Sequence, residues 1–170
     1  MELPIVTHPL QAMVTEPLKP FLNTGVSSTN FHVYVYQTDR GELVIGGAVE
    51  HYPSYSQKST FFRMEELVAS VLRLFPCLKE VNILRQWTGI CDMTPDYAPI
   101  MGPVPGLEGF LLDCGWGTYG FKAAPIAGKT MAELIATGRT PDLIKPFSIQ
   151  RFADGLLVNE KGAASSAALH

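Results

Sequence analysis

A single G-x-G-x-x-G, residues 115–120 (Gly-Trp-Gly-Thr-Tyr-Gly), restricts the folds open to this sequence more than any other feature. It stands between an apolar run, residues 109–114, and a helix-forming stretch that should end near Gly138. That is the order of a dinucleotide-binding turn. A Rossmann unit also needs a second parallel strand after the helix, with an acidic residue about 20 positions on. Here the helix is followed by ATGRTPDLIKP, whose glycine and two prolines make a poor strand, and Asp142 falls in a turn. Too little chain follows the motif for another βαβ unit. The pattern therefore predicts a strand-to-helix turn without the rest of a dinucleotide site.

The physics of the turn survives that exclusion. Closely spaced glycines let another group approach the backbone, and a helix start presents free N–H groups with partial positive charge. Such a turn suits an electron-rich or anionic group, a flavin pyrimidine edge or a carboxylate; the other reading is a turn packed closely for structural reasons. Lys122 adds a cation where an anion would sit, or is a solvated surface lysine.

Elsewhere the chain reads as strands with few helices. Residues 10–18 form a strand ending at Pro17. In 31–37, Phe31, Val33, Val35 and Gln37 share one face and His32, Tyr34 and Tyr36 the other. The turn 38–42 joins this run to 43–50 as an antiparallel hairpin. After a polar, aromatic loop at 51–59, a helix starts with Ser59 or Thr60 as N-cap and stops before Pro76. Its apolar face carries Met64, Leu67, Val68, Val71, Leu72 and Phe75, leaving Arg63, Glu65, Glu66 and Arg73 to the polar face. A strand over 80–91, a Pro-rich loop over 94–106 and a strand over 109–114 lead into the glycine turn. Residues 147–152 and an alanine-rich tail close the chain. The order predicts an α+β fold with a largely antiparallel sheet and flanking helices.

Composition narrows the partners. With 46% hydrophobic and 17% charged residues, the chain is not a disordered tail. Its net charge is −3, and its Lys and Arg are scattered, so no basic stripe offers itself to nucleic acid or to an anionic membrane. No apolar run has transmembrane length, and MELPIVTHPL lacks the basic and apolar regions of a signal peptide, so a cytoplasmic protein is expected. Cys77, Cys91 and Cys114 never form C-x-x-C and read as reduced thiols. The four histidines have no metal-ligand spacing, and no metal is expected.

GWGTYGFKAAP, taken with RQWTGICDMTPDYAPIMGPV, resembles the glycine/D-amino-acid oxidase family of FAD proteins. HPLQAMVTEPLKP, GELVIGGAVE and KPFSIQRFADGLLVNEKGAA extend the likeness over essentially the whole chain, closest to the heterotetrameric members. That family joins an FAD-binding Rossmann domain to a substrate domain with a mainly antiparallel sheet. The resemblance implies that this chain aligns with roughly the C-terminal two fifths. Residues 1–106 would be substrate-domain portion. Residues 107–170 would be the strand, flavin-contacting loop, helix and tail that return to the FAD-binding portion. That N-terminal portion, other subunits of a hetero-oligomer and a small amino-acid substrate are the implied partners.

By the same resemblance, residues 115–122 match the loop passing the isoalloxazine ring, which makes Gly115, Trp116, Gly117, Thr118, Gly120, Phe121 and Lys122 cofactor neighbours. Lys122 matches the lysine that binds the amino-acid carboxylate. Where monomeric relatives carry flavin on a cysteine five residues before the Thr of TPD, this sequence has Gly89, which implies non-covalent FAD. FMN is implied at a subunit interface, and none of the histidines here matches the one that would carry it. Arg85, before Trp87, is either an FMN-phosphate contact or a salt-bridged strand residue. His51, Tyr52 and Tyr55 are either pocket lining or exposed turn residues. The implied activity is oxidation of the C–N bond of a small secondary amino acid such as sarcosine, with hydride to FAD and electrons through FMN to oxygen. The alternatives are a proline, hydroxyproline or opine dehydrogenase, or a structural piece completed by a partner. Alone, the chain is expected to be inactive.

Overall fold

The structure, a computed structural model, describes residues 2–158; the alanine-rich tail from 159 lies outside the described residues. Among the described residues, contacts group into two compact units, residues 7–90, and residues 2–6 together with 91–158.

In the first unit, five strands make one sheet: β1 (Val6–Pro17), β2 (Val26–Ser28), β3 (Val33–Gln37), β4 (Glu42–Val49) and β5 (Ile83–Met93), in the order β2-β3-β4-β1-β5. The pairings β2–β3, β3–β4 and β4–β1 are antiparallel. Alternation works as the sequence implied. Val33 and Val35 are buried, and Tyr34 and Tyr36 stack on the opposite face with ring centroids 6.4 Å apart. Helix α1 (Phe61–Leu74) covers the valine face. Thr60 caps it, its hydroxyl accepting from the Arg63 backbone N–H at 3.4 Å, and Pro76 follows the last turn. Leu67 and Val71 pack against Met13, Val33, Val35, Leu43 and Ile45 to form the core.

Arg63 departs from its expected place on the polar face. It is 4% exposed, and it lies on the Leu67–Val71 stripe at i−4 spacing. Its charge is tolerated there because the Glu50 carboxylate accepts from its Nε at 3.1 Å and the Glu66 carboxylate from Nη1. Gln11, fully buried, joins Glu50 to Thr60 and accepts from Gln86 at 2.7 Å.

The second unit is built on a hairpin of β6 (Ile100–Pro103) and β7 (Leu111–Cys114), paired from Ile100↔Cys114 to Pro103↔Leu111. Helix α2 (Gly120–Thr137) follows β7 and ends on Gly138 in left-handed conformation. Met101, Ala127, Leu134 and Ile144 form one core cluster; Ile100, Val104 and Leu112 form another, packed by Leu3, Ile5, Ile149 and Phe152. The short helix α3 (Arg151–Asp154) closes the described chain. β6 lies within the Pro-rich stretch that was expected to be loop. After α2, no strand occurs among the described residues, which removes the second parallel strand a dinucleotide site requires.

Candidate functional site

The candidate site is the six-residue turn from β7 into α2. Gly115 has φ +70°, and a Cβ there would lie 2.7 Å from the Thr94 methyl; Gly117 has φ +52°, and its Cβ would lie 3.0 Å from Met93 Sδ. The left-handed backbone favours glycine at both positions, and the close approach of Thr94 adds to it at Gly115. The turn is held from behind, since Gly117 N–H donates to the Asp92 carbonyl at 3.0 Å. Trp116 is drawn back from the turn, its indole N–H donating to the Asp113 carboxylate at 2.7 Å.

The start of α2 concentrates positive potential. No side chain caps it and its first turn holds no acid. Its first α-helical bond runs from Ala123 N–H to the Tyr119 carbonyl, so the N–H groups of Gly120, Phe121 and Lys122 have no intrahelical acceptor. Lys122 is exposed, with Nζ 4.3 Å from the Tyr119 ring centroid. A cation in a first helical turn works against the helix dipole. An anionic partner would turn that cost into an attraction. Phe121 is wholly exposed and Thr118 is exposed beside it, so the outer side of the turn is open while its inner side is filled by protein.

These residues fit a flavin edge. The turn is slim on the side where a Cβ would obstruct, and it offers backbone donors, helix dipole and a lysine to an electron-rich ring. Gly115, Trp116, Gly117, Thr118, Gly120, Phe121 and Lys122 are brought together as one segment. Trp116 and Tyr119 also line an open apolar cavity of about 370 Å³, with Tyr97, Met101, Ala127 and Phe147 among its walls.

The remaining candidates lie in the first unit. Gly89 and Arg85 are exposed on β5, and the Arg85 guanidinium carbon is 6.0 Å from the Trp87 ring centroid. Among the described residues, no carboxylate forms a salt bridge with Arg85. His51, Tyr52 and Tyr55 are exposed on the loop after β4, the two tyrosines at 80% and 82%. Cys91 is buried in the second unit, and burial together with the neighbouring Asp92 carboxylate pushes its thiol up to about 11. A thiol so protonated at neutral pH is core and a poor nucleophile.

Residue patterning passed over one part of the site. The aspartate of Thr94-Pro95-Asp96 forms a buried ion pair with Arg151, immediately behind the wall that carries the turn. TPD was visible as a motif, but its partner is 55 residues away, and no local spacing signals it.

The family model described as "FAD dependent oxidoreductase" (DAO) matches residues 1–134. Over 166 residues the chain is 45% identical to sarcosine oxidase subunit beta of Arthrobacter sp., covering 98% of this chain and 41% of that protein. It is 43% identical to sarcosine oxidase subunit beta of Rhodobacter capsulatus over 97% of this chain and 39% of that one. The crystal structure of L-proline dehydrogenase from P. horikoshii superposes with a TM-score of 0.86 at 31% identity, over 93% of this chain and 43% of that chain. The chain thus spans about two fifths of the length of the curated relatives it matches.

Proposed function

The chain belongs to the DAO family of FAD dependent oxidoreductases, and from that premise we propose that it forms the flavin-bordering part of an enzyme oxidising the C–N bond of a small secondary amino acid such as sarcosine. The observation that carries this reading is the uncapped start of α2 with Lys122 in its first turn, directly after a turn whose left-handed backbone and close packing favour glycine. When bound, FAD supplies the hydride acceptor, and FMN at a subunit interface the onward route for electrons to oxygen.

The chain's own part is to bind and orient. Gly115 and Gly117 keep the turn slim enough for a ring to lie against it, and Thr118, Gly120 and Phe121 border that ring. The N–H groups opening α2 would be available to stabilise negative charge on a ring edge placed there. Lys122 clamps the substrate carboxylate and so fixes which bond is presented. Gly89, in place of a flavin-carrying cysteine, fits non-covalent FAD. Arg85, exposed and without a salt-bridge partner among the described residues, is a candidate for the FMN phosphate. The assembly is a cytoplasmic hetero-oligomer in this reading, supported by the relatives named sarcosine oxidase subunit beta.

A second reading, an amino-acid dehydrogenase acting on proline and passing electrons to a carrier, is favoured by the likeness to L-proline dehydrogenase. Oxygen uptake by the complete enzyme separates the two. Turnover with sarcosine and little with proline is expected; proline turnover with a dye acceptor and no oxygen uptake would favour the dehydrogenase.

A further inference from the structure

We propose that the buried Asp96–Arg151 pair is a positioning device for the glycine turn, and through it for the flavin; this rests on the reading that the turn borders FAD. The two side chains are 1% and 3% exposed. Arg151 Nε donates to Asp96 Oδ2 at 2.7 Å and Nη2 to Oδ1 at 2.9 Å, a two-pronged match of guanidinium and carboxylate. Every other group around the pair is also used. Arg151 donates to the carbonyls of Ala98, Phe147 and Ser148 at 2.8, 2.9 and 3.2 Å. Asp96 accepts from the backbone N–H groups of Val158 at 3.0 Å and Ala98 at 3.3 Å.

The link to the turn is Thr94. Its hydroxyl donates to the Ala98 carbonyl at 2.7 Å, with Asp96 Oδ1 at 3.2 Å as a second acceptor. A hydroxyl held on that side directs the methyl of the same residue to the other, where it meets Gly115. Met93 meets Gly117 and the Asp92 carbonyl takes its N–H, so residues 92–94 form the back wall of the turn. Asp96 fastens that wall to the segment 147–158. A buried ion pair is a poor source of net stability, because desolvation offsets its attraction. It supplies direction instead, since the planar fork and the carboxylate fix one another's orientation.

The test uses the complete polypeptide reconstituted with FAD, comparing the wild type with D96N, R151K and T94S. T94S keeps the hydroxyl and removes only the methyl that meets Gly115. Measured for each are the FAD dissociation constant by titration of the apoprotein, the position of the flavin visible absorption band, and Tm. D96N and R151K are expected to weaken FAD binding by roughly tenfold or more and to displace the band in protein that remains folded. T94S is expected to displace the band and weaken binding severalfold, with Tm close to wild type. It decides the matter if D96N fails to fold. Variants that lower Tm yet bind FAD with wild-type affinity and spectrum would show a merely structural pair and overturn the proposal alone. A wild type that takes up no FAD overturns the flavin reading and this proposal with it.

Discussion

Lys122 carries the sharpest expectation at the scale of single residues. Its ammonium sits above the Tyr119 ring in the first turn of a helix that has neither a side-chain cap nor an acid there. A charge-assisted hydrogen bond to a carboxylate contributes about 1.5–3 kcal/mol. Lys122→Met should therefore raise KM for the amino acid by roughly 10- to 100-fold with flavin content nearly intact, read by steady-state kinetics beside the flavin absorbance. Equal losses of flavin and substrate affinity would refute the clamp. Two glycines separate strain from contact. Gly115 and Gly106 both have positive φ, but a Cβ on Gly115 meets Thr94 at 2.7 Å whereas one on Gly106 meets nothing within 4 Å. Left-handed backbone alone costs about 1–2 kcal/mol for a residue with a Cβ. Gly106→Ala should show only that loss in denaturant unfolding. Gly115→Ala should lose more and also retain less FAD.

Among the elements, α1 shows what sequence periodicity can and cannot read. Its cap at Thr60, its stop before Pro76 and its Leu67–Val71 stripe were all legible, because each rests on neighbours within a few residues. Arg63 was not. Spacing put it on the buried stripe, polarity put it outside, and the decision lay with Glu50, 13 residues back. Strands β2 and β6 were hidden for a similar reason: three and four residues long, they are defined by partners and not by a run of their own. The glycine turn was legible from local spacing, whereas the Asp96–Arg151 clasp joins positions 55 residues apart. Thr60→Ala tests the cap. It removes the acceptor for Arg63 N–H and a link to Gln11 and Glu50, so stability should fall by about 1 kcal/mol or slightly more, measured by urea unfolding.

On the scale of the whole molecule, the clasp gives a pH signature. Burial would raise the Asp96 carboxyl, but the Arg151 fork and the N–H groups of Val158 and Ala98 outweigh it and hold the group below the usual carboxylate range. A carboxylate depressed in the folded state contributes stability that is fully present above its unfolded pKa of about 3.9 and is lost as pH falls through the folded value. Unfolding measured against pH should therefore show stability declining below about pH 4 in the wild type. In Asp96→Asn that share of the decline should vanish, at the cost of about 3–5 kcal/mol near neutrality for leaving Arg151 buried without its partner. A variant with the wild-type acid profile would show that other carboxylates govern it.

The second unit also draws its core from both ends of the described chain, Leu3 and Ile5 packing with Ile149 and Phe152 around Ile100, Val104 and Leu112. This has a consequence for synthesis on the ribosome. Residues 7–90 hold β2, β3, β4, α1 and nearly all of β1 and β5, with the whole of the core those elements share, so that core can close once they emerge. Leu3 and Ile5 cannot; their partners lie about 100 to 150 positions further along and emerge on the order of ten seconds later at ordinary elongation rates. During that interval two aliphatic side chains lack the core they belong to, and a chaperone that holds the nascent chain would find its ligand there.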